Sequence, residues 1–409
     1  MTVLVDVGLT AGAADTSGYW HIGDPVRGRI GTATLAPDGL MLDCSGRLMA
    51  LSVQRTSTRR AGPLVEHNAG TATITLLNND GLLDPAVLGQ PAPGAEIRIR
   101  KRHGDITYPV FRGYVKSWLP EHRHPDHAVV VVTATDGMEL LANTDRVAVA
   151  AVGEGETTGA RIGRILDSVG WPATDRSIMT GDSTVQATTL EGSALQEIQR
   201  VVTAEAGQFF VDQQGNAVFT SRRLVLQTDL GATFGSNRAG GEIPYVGRPG
   251  MSYDREQLVN RVRATRAGGV EQVVSDPTSV ARYRESTHTE TDLLLQTDAD
   301  VQSWARHIVY IDKEPEFRFT SLTLDARVDP TLIYPLVLGM QFGSRITVVR
   351  RPPGGIVDSR EVIVRSVEHE WSPPDRWITT WGLQAADRFA FWTIGHPTRG
   401  RIGSNGIAF

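Results

Sequence analysis

Two stretches of this chain read alike: Val87-Leu88-Gly89, Gly94-Ala95-Glu96-Ile97, Arg112 and Trp118-Leu119-Pro120, and then Val337-Leu338-Gly339, Gly343-Ser344-Arg345-Ile346, Arg365 and Trp371-Ser372-Pro373. In both, the arginine stands six residues before the tryptophan and a proline follows two residues after it. Upstream of each, a Thr-rich strand (Thr71 to Thr75; Thr320 to Thr323) runs on to an Asp-Pro pair, Asp84-Pro85 or Asp329-Pro330. Order and spacing together predict one β unit written twice. An internal duplication gives a pseudo-symmetric body, which suits assembly into rings better than catalysis in a cleft.

Alternating Thr and apolar residues predict strands at 48–53 and 70–76, separated by the turn Asn78-Asn79-Asp80-Gly81 from strands at 96–101, 110–118 and 128–134. Short strands punctuated by turns read as a barrel or sandwich. From Gly153 the character changes. Thr157 or Thr158 caps a helix over 159–169, with Gly170 and Pro172 ending it. A second helix over 193–206 leads into a hairpin, 209–211 and 217–219, turned at Gln214-Gly215-Asn216. A third, over 298–311, is capped by Thr297 and turns Val301, Trp304, Ile308 and Ile311 inward. The predicted organisation is an N-terminal arm and edge strand (1–45), a first β-barrel repeat (46–145), an α+β insertion (146–244), an α/β connecting region (245–314), a second barrel repeat (315–392) and an extended tail (393–409). The fold class is mainly β with α+β insertions, built on two duplicated antiparallel β-barrels.

Composition sets bounds on function. The chain has 409 residues, 40% hydrophobic and 21% charged, with net charge −5, so its surface as a whole does not attract nucleic acid. One cysteine, Cys44, excludes an internal disulfide, fits a reducing cytoplasm and reads as a small core residue. The longest apolar run, Ala128 to Val132, is strand-sized rather than membrane-spanning, and the N-terminus has no basic segment of a secretion signal.

The strongest metal-like grouping is the loop Glu121-His122-Arg123-His124-Pro125-Asp126-His127, in which His122, His124, Asp126 and His127 are suitable ligand types. It falls at a hairpin tip with no helical His-x-x-x-His spacing, so the expectation is an exposed polar loop without metal. Gly153-Glu154-Gly155 before a helix imitates a dinucleotide turn, but no acid-ended parallel strand follows. There is no Gly-x-Ser-x-Gly and no His-Glu-x-x-His, so no catalytic residue and no cofactor are expected. Glu368 and Glu370 share a strand face and read as solvated. Trp118, Trp371, Trp377 and Trp381 are expected to pack over the repeats rather than to form a sugar platform. Arg112 and Arg365 fit an ion pair with a neighbouring acid, a repeat–repeat contact or plain exposure on a strand.

The segment from Ala69-Gly70-Thr71-Ala72-Thr73-Ile74-Thr75-Leu76-Leu77 through Asn78-Asn79-Asp80-Gly81-Leu82-Leu83-Asp84-Pro85, preceded by Ser52-Val53-Gln54-Arg55, resembles minor tail proteins of long-tailed phages infecting actinobacteria. Asp276-Pro277-Thr278-Ser279-Val280-Ala281-Arg282-Tyr283 and Val364 to Trp371 add to the resemblance, which spans most of 45–390. That family is similar to the trimeric hubs of phage baseplates, with two related β-barrels and α/β insertions. The resemblance implies a homotrimeric tail-tip protein of the virion, made in the host bacterial cytoplasm, that closes the tail tube and opens for genome release. Its implied partners are the distal tail protein or last tube ring, the tape-measure protein and other tip or fibre proteins, with genome passing transiently through the lumen. The chain ends soon after the second repeat, so a wall-degrading or receptor-binding extension is not expected. The rival expectations are a tail-associated hydrolase using the 122–127 loop, a carbohydrate-binding adhesin using the tryptophans, and the hub of a contractile injection machine.

Overall fold

The computed structural model describes residues 2–8, 41–61, 64–88, 93–124, 127–145, 149–222 and 230–386. Most of residues 1–45, the tail 393–409, Gly89, Pro125 and Asp126 lie outside them.

Alternation of apolar and polar residues builds one large sheet from β1 (Thr2–Gly8), β2 (Met41–Asp43), β3 (Leu48–Arg55), β4 (Thr71–Leu77), β5 (Glu96–His103), β6 (Ile106–His124), β7 (His127–Thr135), β8 (Leu230–Phe234), β9 (Gly250–Ser252), β10 (Arg318–Asp325), β11 (Arg345–Arg350), β12 (Asp358–Ser372) and β13 (Arg376–Ala385). Its order is β9-β10-β13-β12-β3-β4-β7-β6-β5-β1-β2, with β11 added on β12 and β8 on β11. Among the described residues the pairings follow this branched path rather than two closed rings. β3 is the seam: it pairs with β4 on one side and with the second half of β12 on the other, Leu51 facing Trp371 and Arg55 facing Val367. Strand β1, expected at an edge, is interior between β5 and β2.

The same pairing order, β4-β7-β6-β5, recurs as β10-β13-β12-β11. The match is one of hydrogen bonds. Gly94 N donates to Val115 O and Val115 N to Ala95 O (2.7 and 2.8 Å); Gly343 N donates to Val364 O and Val364 N to Ser344 O (3.0 and 2.9 Å). Just beyond, β6 bulges between Val115 and Ser117, and β12 bulges between Val364 and Ser366. A bulge shifts every later residue to the other face unless the partner shifts too, so a shared bulge fixes a shared register. On that register Trp118, cross-strand from Val132, corresponds to Val367, cross-strand from Trp381. The two indoles thus sit on opposite strands of equivalent pairs. The spacing that equates Trp118 with Trp371 and Arg112 with Arg365 is therefore out of register by four residues: Trp371 lies beyond Val367, and Arg365 occupies the bulge position held in the first copy by Lys116. The flanks differ as well, since β1 is antiparallel to β5 whereas β8 is parallel to β11.

Each Asp-Pro pair opens a helix: α1 (Pro85–Leu88) and α7 (Pro330–Gly339). Asp329 caps the latter by accepting from Leu332 N, and proline suits the first helical position because its missing N–H would have no partner there. Between the repeats lies a second core. It gathers α3 (Thr158–Ser168, capped by Thr157), α4 (Ala194–Glu205, with a Ser193–Gln196 capping box), the hairpin Gln208–Val211 and Ala217–Thr220, and α6 (Asp298–Asp312, capped by Thr297). Val301, Trp304, Ile308 and Ile311 are buried, as their helical spacing predicts. The chain also forms α2 (Gly137–Ala142) and α5 (Pro277–Tyr283). Cys44 is a buried core residue, as its composition context suggests.

Candidate functional site

The residues singled out from the repeats hold the body together. Arg112 on β6 pairs with Glu96 on β5 (2.7 Å) and with Asp175 (3.2 Å) in the insertion, and it donates to Gln214 O in the hairpin turn (3.4 Å). Asp212 shapes that turn by accepting from the Gln214 and Asn216 amides, and Gly215 takes the φ of +86° it requires. Arg112 therefore ties the sheet to the insertion. Arg365 is buried and donates to Gln384 (2.7 Å) on the adjacent strand. Trp118 donates to Leu83 O (2.9 Å), fixing the strand over the Asp-Pro turn, and Pro120 lies opposite Val130. Trp371 donates to Asp375 (3.1 Å), and Pro373 begins a cis Pro373–Pro374 peptide in the β12–β13 turn. Trp377 and Trp381 are fully buried and offer no face to a sugar. Glu368 is half-buried and Glu370 exposed.

The histidine loop is the tip of the β6–β7 hairpin, with His124 opposite His127 and His122 exposed. Asp126 lies outside the described residues. Among the described residues no three His, Cys, Asp or Glu side chains converge on a metal-sized space.

What the spacing did not reveal is a row of buried charges along the seam. Lys101 on β5 is fully buried and reaches across to Asp375 in the β12–β13 turn, with Tyr334 and Trp377 rings 5.1 and 5.5 Å from its ammonium. The Tyr334 hydroxyl on α7 donates to the other oxygen of Asp375 (3.1 Å). One carboxylate thus collects a lysine of the first repeat and a tyrosine and a tryptophan of the second. Burial lowers the Lys101 pKa, partly offset by its bond to Asp375. Burial pulls Asp375 upward, but the bonds from Lys101 and Trp371 outweigh it and hold the carboxyl below its ordinary range. Arg55 is buried on β3, donates to Gln341 (3.0 Å) and lies 5.2 Å from the Phe342 ring. Burial brings it down to about 10, against the pull of Asp212 and Asp136.

Three more buried groups complete the seam. His67 rests against Phe210 and Phe342 and meets Gln208 at 3.2 Å; His369 meets Thr379 at 2.9 Å. Burial drives both down to about 3. Asp136 caps α2, accepting from Met138 N (2.9 Å) and Gly70 N (2.7 Å), and burial pushes it up to about 7 in spite of those bonds. Lys101 and Arg55 join the first half of the sheet to the second half of the chain, and all of these side chains are enclosed rather than presented to a substrate. Their signal was in the sequence: Lys101 follows Ile97 and Ile99 at strand spacing, Arg55 follows Leu51 and Val53, and His369 follows Val367, so period two places each on the buried face.

No family model matches the sequence, and no curated protein matches it in sequence. In three dimensions the chain is similar to a tail protein from Neisseria meningitidis MC58, with a TM-score of 0.58 and 12% identity over 85% of this chain and 94% of that one. It is likewise similar to the 43 kDa tail protein of prophage MuSo2 from Shewanella oneidensis, with a TM-score of 0.57 and 12% identity over 95% and 99%. At such identities the likeness is one of fold. Among the described residues no helix is long and apolar enough to cross a membrane.

Proposed function

We propose that the chain is a structural protein of a phage tail tip: a homotrimeric hub that closes the distal end of the tail tube and opens for genome release. The observation that carries this reading is the hydrogen-bond register repeated at β5-β6-β7 and β11-β12-β13 with its shared bulge. Residues 46–145 and 315–392 are then two quasi-equivalent barrel-like repeats, and three chains present six similar faces to a six-fold tube ring. The fold likeness to two tail proteins supports the setting. Each repeat also exposes apolar side chains at its Asp-Pro turn: Leu82 (51%) and Val87 (63%) in the first, Val328 (45%) and Leu332 (45%) in the second. Matched apolar positions of this kind are suited to docking against a ring of neighbours, in an interface of about 1,000 Å² or more.

The role is mechanical rather than catalytic, and the proposed partners are further copies of the chain, the distal tail protein or last tube ring, the tape-measure protein and other tip or fibre proteins. Native mass spectrometry tests the stoichiometry: a mass three times 44.4 kDa is expected. A monomer that persists up to about 100 μM, where even a weak specific assembly forms, contradicts the trimer.

A further inference from the structure

Away from the seam, where β11 ends and the loop after β8 folds back, lies an open cleft of about 660 Å³. That is a ligand-sized volume. Its character comes from two separate segments. The loop between β8 and β9 supplies Tyr245, Arg248 and Pro249; the end of β11 and the turn after it supply Arg350, Arg351 and Pro352. The walls are stiff. The prolines fix their own φ, and the Tyr245 hydroxyl donates to Val349 O (3.3 Å), holding the ring, which is half-buried, against the strand.

The charge in this cleft is unbalanced. Arg351 is engaged by Glu242, which accepts from both of its terminal nitrogens and from Asn237 N (2.8 Å). That pair is neutral and pins the guanidinium to the wall. Arg350 stands across the strand pair from Asp358, but Asp358 accepts from Arg360 (3.0 Å). Among the described residues the Arg248 and Arg350 side chains make neither an ion pair nor a hydrogen bond, and no acid lines the cleft. Two unengaged arginines and a pinned third line one cleft, and guanidinium donors suit an oxyanion better than an ammonium does.

We propose that this cleft binds a compact phosphorylated ligand, a sugar or polyol phosphate. Arg248 and Arg350 hold the phosphate, and the Tyr245 face covers the carbon skeleton. The excess of two positive charges matches a phosphate dianion. A continuous single-stranded nucleic acid is disfavoured, because such strands need a basic groove with successive aromatic platforms, and here the arginines surround one pocket with one aromatic ring. The inference concerns the isolated chain and does not depend on its place in a tail. A failure here would leave the hub reading standing, and loss of the trimer would leave this one.

Isothermal titration of the full chain with glucose 1-phosphate and glycerol 3-phosphate tests it, with glucose, inorganic phosphate and a short single-stranded DNA as comparison probes. Saturable binding of a sugar or polyol phosphate is expected, weaker for inorganic phosphate and undetectable for glucose. Arg248→Ala with Arg350→Ala should weaken it by about tenfold or more, the loss of charge-assisted bonds. Arg306→Ala, on the exposed face of α6, should leave it unchanged. Because Arg248 is exposed, Arg248→Glu serves as a second variant that keeps the fold, checked by an unchanged denaturation midpoint, and it should abolish binding. Equal binding by the wild type and Arg248→Glu, or no saturation up to about 10 mM ligand, would overturn the proposal. So would tighter binding of the DNA that is lost in the same variants, which would assign the cleft to nucleic acid instead.

Discussion

Acidification should unfold this protein along a slope set by a few buried residues. His67, His307 and His369 are buried, and burial drives each down to about 3 in the fold, whereas an unfolded histidine titrates near about 6.5. Between those values the unfolded chain binds one more proton per histidine. Stability is therefore fully present above about pH 6.5 and is lost as the pH falls toward 3, by about 1.4 kcal/mol per unit for each residue. Asp136 opposes them. Its folded value is raised to about 7, so between about pH 4 and 7 the fold holds the extra proton and gains stability on acidification. Three histidines against one aspartic acid leave a net uptake of about two protons on unfolding near pH 5, or about 2.7 kcal/mol per unit. Two units of acidification then remove about 5 kcal/mol, a large part of an ordinary domain's stability. The assay is urea unfolding at a series of pH values with the m-value checked for constancy. His67→Phe, which keeps a ring between Phe210 and Phe342, should reduce the slope by about half; Asp136→Asn should steepen it by a similar amount. A flat profile between about pH 6.5 and 4.5, or an unchanged slope in His67→Phe, would show that the buried histidines do not set the acid stability.

Other outcomes follow from particular contacts. Asp375→Asn leaves Lys101 buried without its carboxylate and should cost about 3–5 kcal/mol, while adding Lys101→Met should recover much of the loss; denaturation midpoints of the single and double variants decide this. On α3 two glycines should behave in opposite ways. A Cβ at Gly159 would meet Met179 O at 1.9 Å, so Gly159→Ala should destabilise by more than about 2 kcal/mol, whereas open space at Gly163 lets Gly163→Ala stabilise by about 0.5–1 kcal/mol. Ser193→Ala removes the α4 capping box and should cost about 1 kcal/mol in thermal or chemical unfolding.

Local chemistry explains what was legible in the sequence. Thr157 and Thr297 announced their helices because a cap and the apolar stripe after it lie within one turn of chain, whereas the capping box at Ser193 emerged only in the structure. The strands of the first repeat were readable from alternation, and the β12–β13 unit from its likeness to them. The exact equivalence was not, because the Arg-to-Trp spacing is a local pattern, whereas the true register is set by a bulge and by bonds from Gly94 and Gly343 to distant strands. Helix α7 gave no amphipathic pattern: it is apolar almost throughout and carries Pro335. The seam charges were visible as polar residues at buried strand positions, but Asp375, which collects them, sits in a turn where an aspartate is unremarkable. The basic cleft joins segments about a hundred residues apart, so no linear motif marks it.

Cryo-electron microscopy of intact particles that contain this chain decides whether it is a tail-tip hub. Three copies are expected at the distal end of the tail, each touching its neighbours or the adjoining ring through both 46–145 and 315–392. Particles in which the chain is absent from the tip, or in which only one of the two repeats makes contacts, would contradict it.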